Sequence, residues 1–252
     1  MATQVSQFKL QSNVGEGKLR GKIAVVTGAG RGIGKAIAEA FAREGACSIL
    51  VVRDRAHGEQ FAEDLRGRGY KADVGVADVT VGAQVSMLAL DLMQRYPGID
   101  ILVNNAGIFL DEDRDMRPSN IDLIVCERTL QVNLFGPIQV CNAFVPHMRT
   151  DGRIINVSST MGQLAGEPDA YGPAYSISKT ALNKYTELLA ADLRERKIMV
   201  DCFHPGWVKT DMGGAGAHVE PERAAQTALH LATRPFSEET GLFWRECKVI
   251  DW

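Results

Sequence analysis

Tyr175 and Lys179 stand four residues apart in Tyr175-Ser176-Ile177-Ser178-Lys179, at the start of a stretch whose apolar residues repeat at helical spacing. Residues i and i+4 share one helix face, so this spacing sets a phenol beside an ammonium. A free phenol titrates near 10. A neighbouring cation favours the phenolate and is expected to lower that value. A tyrosine tuned in this way gives a proton to a carbonyl oxygen or takes one from an alcohol. Tyr171 and Tyr185 lack such a partner, because Tyr175 and Leu189 stand four residues beyond them. A lone Y-x-x-x-K arises often by chance, so its meaning depends on what else the chain carries.

A second chemical element lies near the start. Thr27-Gly28-Ala29-Gly30-Arg31-Gly32-Ile33-Gly34 follows the apolar run Ile23–Val26 and precedes a helix-period segment. Glycines there permit a tight turn and bring backbone close to a phosphate, and the first helical N–H groups then face the anion. The spacing is T-G-x-x-x-G-x-G. A strict G-x-G-x-x-G would put its last position on Ile33 or Lys35. Strand-to-helix turns use glycine for backbone reasons too, but this placement points to a dinucleotide. Arg53 closes the second apolar run, and Asp54 lies twenty residues beyond Gly34. An acid there would hold a ribose 2′-OH, as in NAD(H) binding, and an arginine would favour a 2′-phosphate. Arg31 and Arg53 supply fork-shaped donors for a phosphate of nearly two charges, so NADP(H) is favoured and NAD(H) is the alternative. A bound nicotinamidium would add to the Lys179 charge in lowering the Tyr175 pKa.

These groups need a scaffold. Ile23–Val26, Ser48–Val52, Ala72–Val76, Ile101–Val103, Ile154–Val157 and Met199–Phe203 are short, apolar and β-branched, as expected of strands buried on both faces. Between them run helical stripes such as Ile33, Ile37, Ala40, Phe41 and Val85, Leu88, Leu92, Met93. The alternation predicts one doubly wound α/β domain over residues 21–252, behind a polar tail over residues 1–20 that lacks the apolar core of a secretion signal. With 28 basic and 31 acidic residues in 252, the net charge of −3 argues against nucleic acid as a partner. No apolar run approaches the ~18 residues of a membrane helix. The five cysteines stand at no zinc-ligand spacing, so no metal and a reduced, cytoplasmic setting are expected. The acidic run Asp111–Asp115 reads as a solvated loop.

Five stretches in order give the chain a resemblance to the short-chain dehydrogenase/reductase family over residues 20–252. They are Thr27–Gly34, Asp78-Val79, Asn104-Asn105-Ala106-Gly107, Val157-Ser158-Ser159 and Tyr175–Lys179, with Pro205-Gly206 downstream and Asn133 in Gln131-Val132-Asn133-Leu134. The resemblance implies a single Rossmann domain with a seven-stranded parallel sheet. It implies Tyr175 as general acid/base, Lys179 as the group that lowers its pKa and binds the nicotinamide ribose, and Ser159 as donor to the substrate oxygen. Asn133 would position Lys179 through water. Gly28, Arg31, Gly32, Ile33, Gly34, Arg53, Asp78, Val79, Asn105 and Gly107 would contact the cofactor, as would Tyr175 and Lys179. Asp78 would do so at the adenine and Asn105 beside the adenosine ribose, while Pro205, Val208 and Thr210 would pack on the nicotinamide. Ser159 and Tyr175 are sixteen residues apart, a little more than is usual in the family, and the surplus is expected in a loop over Gly166–Pro173.

His204-Pro205-Gly206-Trp207-Val208-Lys209-Thr210-Asp211-Met212 resembles the family's carbonyl reductase branch, which reduces aldehydes, ketones and quinones with NADPH. Met161, Trp207, Met212 and Phe109 are candidates for an apolar substrate pocket, although each could equally be core. His204 either touches substrate or caps a strand end. The long insertion of some monomeric carbonyl reductases is missing, which makes a homodimer or homotetramer plausible. Rival readings are an NAD-dependent secondary alcohol or hydroxysteroid dehydrogenase and a catalytically silent nucleotide sensor.

Overall fold

The structure is a computed structural model that describes residues 17–167 and 169–252. Its strands are β1 (Ile23–Thr27), β2 (Cys47–Val52), β3 (Lys71–Val76), β4 (Ile99–Asn104), β5 (Met148–Val157), β6 (Met199–His204), β7 (Phe243–Arg245) and β8 (Lys248–Ile250). They form one sheet in the order β3-β2-β1-β4-β5-β6-β7-β8. The first seven in that order are parallel, as the resemblance implies, and β8 adds an antiparallel edge strand to β7. The three-residue strands β7 and β8 are too short to show as apolar runs.

The connecting helices are α1 (Gly32–Arg43), α2 (Arg55–Gly67), α3 (Gly82–Arg95), α4 (Asp111–Arg114), α5 (Leu123–Leu130), α6 (Gly136–Phe144), α7 (Pro173–Asp192) and α8 (Pro221–Thr233). Side chains alternate between the two faces of each strand. Val26, Leu50 and Ile155 therefore join a core with α1, α2 and α8, while Val25, Ile49 and Ile154 join the opposite core with α3 and α6. Burial on both faces explains the near-continuous apolar character of the strands. Strand order reverses between β1 and β4, so the loops leaving their carboxyl ends diverge and open a crevice.

The domain begins earlier than residue 21. Leu19 is buried and its N–H donates to the Glu44 carbonyl at 2.9 Å, so Gly17–Arg20 pack on the domain rather than trail from it. The rest of the proposed tail, residues 1–16, lies outside the described residues. The acidic run also departs from expectation. Asp111–Arg114 is a helical turn, and Asp113 within it is fully buried.

Gly34 sets the tightest packing near the crevice. A Cβ on it would overlap the Gly28 carbonyl and the Asn105 amide. Both are held rigidly, so Gly34→Ala is expected to destabilise the domain by about 1–3 kcal/mol, read as a lowered Tm. An unchanged Tm would show that the turn relaxes freely.

Candidate active site

The glycine turn is built between β1 and α1. Gly28 and Gly32 have φ of +65° and +54°, the left-handed region that favours glycine. Asn105 donates its side-chain amide to the carbonyls of Thr27 (2.8 Å) and Gly28 (3.2 Å), and the Thr27 hydroxyl accepts from the Asn105 and Ala106 amides. Asn105 therefore fastens the turn to the end of β4 as well as lining the crevice. The N-cap of α1, Arg31, makes no side-chain cap, so its first-turn N–H groups remain for an anion.

At the end of β2 the two candidate 2′-end residues part company. Asp54 turns back as the N-cap of α2 and accepts from the amides of Ala56 (2.9 Å) and His57 (3.5 Å). Arg53 remains exposed at the crevice, and its charge helps lower the Asp78 pKa, after the larger effect of hydrogen bonds from Thr80. Arg31 reaches across the crevice to Asp211 at 2.7 Å, both side chains being 77% exposed. Asp78, Val79 and Gly107 line the same crevice, as do Pro205, Val208 and Thr210 on the opposite lip.

The deep end is carried by α7. Gly172, in the left-handed region at φ +57°, and Pro173 start this twenty-residue helix, and Tyr175 and Lys179 follow on it. Lys179 Nζ donates to the Val157 carbonyl at 2.9 Å and lies 5.5 Å from the centre of the Tyr175 ring. Burial pushes the Lys179 ammonium down to about 8. Burial also pushes the Tyr175 phenol up to about 12, with the Ser159 hydroxyl pulling the other way. The expected lowering of Tyr175 counts on Lys179 together with a bound nicotinamidium, and the phenol's own burial acts in the opposite direction.

Asn133 sits in a π-helical turn, Gln131–Phe135, and is fully buried. Its amide donates to the Ile108 carbonyl (2.9 Å) and the Ser178 hydroxyl (3.0 Å), while its oxygen accepts from the Ile108 amide (2.8 Å). It thus clamps the strand-end loop after β4 to α7. Both donors are used by the protein, and one lone pair of the oxygen remains beside Gly107.

The mouth is aromatic. Phe109 stacks on Tyr175 with ring centres 4.7 Å apart and meets Tyr171 edge-on at 5.6 Å. Met161, Trp207 and Met212 line the crevice, and Trp207 and Met212 are substantially exposed rather than core. The loop before α7 is fixed at Ala165, whose amide donates to the Trp252 carbonyl at 2.7 Å.

His204 closes β6. Its Nδ1 accepts from the Thr160 amide at 3.3 Å, which holds the turn after Ser159. Burial pushes its pKa down to about 4, below the usual 6.5. The unfolded chain therefore binds a proton in that window and the folded one does not, so stability falls as pH drops from 6.5 toward 4. The shift corresponds to roughly 3 kcal/mol. His204→Gln should flatten the fall in Tm between pH 6.5 and 4, and an unaltered pH profile would contradict this.

A sequence model described as short chain dehydrogenase matches residues 22–219. The chain is 38% identical over 204 residues to Oxidoreductase UcpA of Salmonella typhimurium, covering 78% of this chain and 73% of that one. It is 30% identical over 276 residues to Carbonyl reductase [NADPH] 1 of Sus scrofa, covering 92% and 94%. Among solved structures, a blue fluorescent protein from a metagenomic library in complex with NADPH superposes with a TM-score of 0.79. The two are 31% identical, over 90% of this chain and 96% of that one. The chain belongs to the short-chain dehydrogenase/reductase family, the oxidoreductases that act on CH–OH or carbonyl groups with a nicotinamide cofactor.

The residues present fit such a cofactor. The crevice, of about 1960 Å³, runs unbroken from Arg53 through the glycine turn to Tyr175 and Lys179. Uncapped helix amides and positive-φ glycines stand where a pyrophosphate would lie. Among the described residues, no helix is long and apolar enough to cross a membrane.

Proposed function

We propose that the protein reduces a small aldehyde, ketone or quinone to the alcohol with NADPH, with Tyr175 as general acid. The observation that carries this reading is the half-buried Tyr175 phenol, stacked on Phe109 and faced by Ser159, in a crevice whose other end presents Arg31 and Arg53. A nicotinamide cofactor held in the crevice would supply the hydride. Ser159 and Tyr175 donate hydrogen bonds to the carbonyl oxygen and oppose the charge that grows on it. Tyr175 then gives up its proton. Lys179 spends one donor on Val157 and keeps two for the ribose, while Asn133 offers its spare lone pair to water on the relay that reprotonates Tyr175.

Preference for NADPH is supported by the withdrawal of Asp54 into the cap of α2, which leaves the arginines facing a 2′-phosphate. The carbonyl reductase relative is named for NADPH, and the metagenomic structure contains it. The substrate lies against Met161, Trp207 and Met212, a surface suited to apolar or aromatic carbonyl compounds. Self-association through α5 and α7 is part of the reading, supported by exposed Leu123, Ile124, Ile177 and Leu188 on those helices.

The test is nicotinamide absorbance with purified protein, NADPH or NADH, and a panel of aldehydes, ketones and quinones. NADPH oxidation at least about tenfold more efficient than that of NADH is expected, since one charge-assisted contact is worth that much. A preference for NADH would point to the NAD-dependent alcohol dehydrogenase reading.

A further inference from the structure

Asp113 is the fully buried member of an otherwise exposed acidic run. Its two carboxylate oxygens accept from the amides of Ala174 (3.0 Å) and Tyr175 (2.8 Å), sixty-one and sixty-two residues away. These are first-turn amides of α7, which have no partner inside the helix. The residue that precedes the helix, Gly172, has no side chain with which to cap them. A serine or aspartate there would be the usual solution. A Cβ at Gly172 would instead press on the Phe109 ring at 2.7–2.9 Å. The cap is therefore supplied from a different segment, and it is bonded to the backbone of the catalytic tyrosine itself.

The neighbouring residue secures that segment. Arg114 donates to the Tyr171 hydroxyl at 3.0 Å and to the Met212 carbonyl at 2.9 Å. Its guanidinium lies 4.5 Å from the centre of the Phe109 ring, and Phe109 stacks on Tyr175. The turn Asp111–Arg114 thus holds Tyr175 by its backbone through Asp113 and by its ring through Phe109. Its negative charge also suits the positive end of a twenty-residue helix.

We propose that Asp113 is a positioning residue for catalysis: it fixes the Tyr175 backbone, and with it the phenol, at the distance proton transfer requires. The proposal rests on Tyr175 being the general acid. Displacement of a reacting group by about 1 Å costs roughly 100-fold in rate. Cofactor affinity should change little, because Lys179, although on α7, is held independently by the Val157 carbonyl, and Gly28, Gly32, Arg31 and Arg53 lie on other elements.

The experiment compares wild type, Asp113→Ala, Asp113→Asn and Asp115→Asn. It measures kcat and KM for a carbonyl substrate, the Kd for NADPH, and hydrogen exchange at the Ala174 and Tyr175 amides. Asp113→Ala is expected to lower kcat roughly 100-fold, with KM and the NADPH Kd within about threefold. Asp113→Asn, which keeps one acceptor, should fall between. Asp115→Asn, which removes an exposed charge from the same run, should match wild type. Exchange at both amides should quicken in Asp113→Ala. An unchanged kcat, or a loss of NADPH affinity parallel to the loss of kcat, would overturn the proposal. If wild type reduces none of the carbonyl compounds, the reading of Tyr175 as their acid fails. The positioning role fails with it, while exchange still reports whether Asp113 caps α7.

Discussion

Tyr175→Phe is expected to lower carbonyl reduction by about 10²–10⁴-fold while NADPH binds within about twofold of wild type. The ring stays, so its stacking on Phe109 at 4.7 Å and its place on α7 are kept. Only the hydroxyl is lost, and with it the proton for the developing alkoxide and one of two donors to that oxygen. Ser159 remains as the second donor and accounts for residual turnover. Cofactor affinity persists because the glycine turn, the arginines and Lys179 are untouched. The comparison needs steady-state kinetics beside a fluorescence titration with NADPH. Equal loss of turnover and binding would assign Tyr175 to cofactor binding.

The second large effect concerns the far end of the crevice. The double variant Arg31→Ala/Arg53→Ala should weaken NADPH binding by roughly 100-fold and leave NADH nearly unchanged. Hydrogen bonds to charged groups contribute about 1.5–3 kcal/mol each, and solvent exposure of both arginines places the effect at the low end. The Arg31–Asp211 pair does not stand in the way. With both side chains 77% exposed it is a surface ion pair, worth at most about 1 kcal/mol, and a dianionic phosphate outcompetes one carboxylate for the guanidinium. Parallel titrations with the two cofactors decide the matter. An equal loss for NADH and NADPH would mean that the arginines act on the shared pyrophosphate or only on the fold.

What the sequence made legible was local. The Tyr175–Lys179 spacing and the glycine turn between β1 and α1 lie within eight residues each, and strands buried on both faces announce themselves by composition. What it hid was set by distant partners or by burial. Asp113 looks like its acidic neighbours, and only the arrival of α7 sixty residues later gives it two amides to hold. The Tyr175 pKa is expected to fall under the charges of Lys179 and a bound nicotinamidium. Burial beneath Phe109, which no spacing reveals, acts in the opposite direction. The spacing of Asp54 suggests a ribose contact, and nothing local shows that α2 starts at Arg55 and takes its carboxylate as a cap. Strands β7 and β8 leave no periodicity because three residues cannot show one.

The central claim is that hydride passes from NADPH to a carbonyl carbon at Tyr175. NADPH deuterated at the transferable C4 position, turned over with a reactive aldehyde or ketone, tests this directly. The account predicts one deuterium on the carbinol carbon of the product for each NADPH oxidised by wild type, and a rate of deuterium transfer lower by about 10²–10⁴-fold with Tyr175→Phe. NADPH oxidation that leaves no deuterium in the alcohol, or undiminished transfer by Tyr175→Phe, would contradict it.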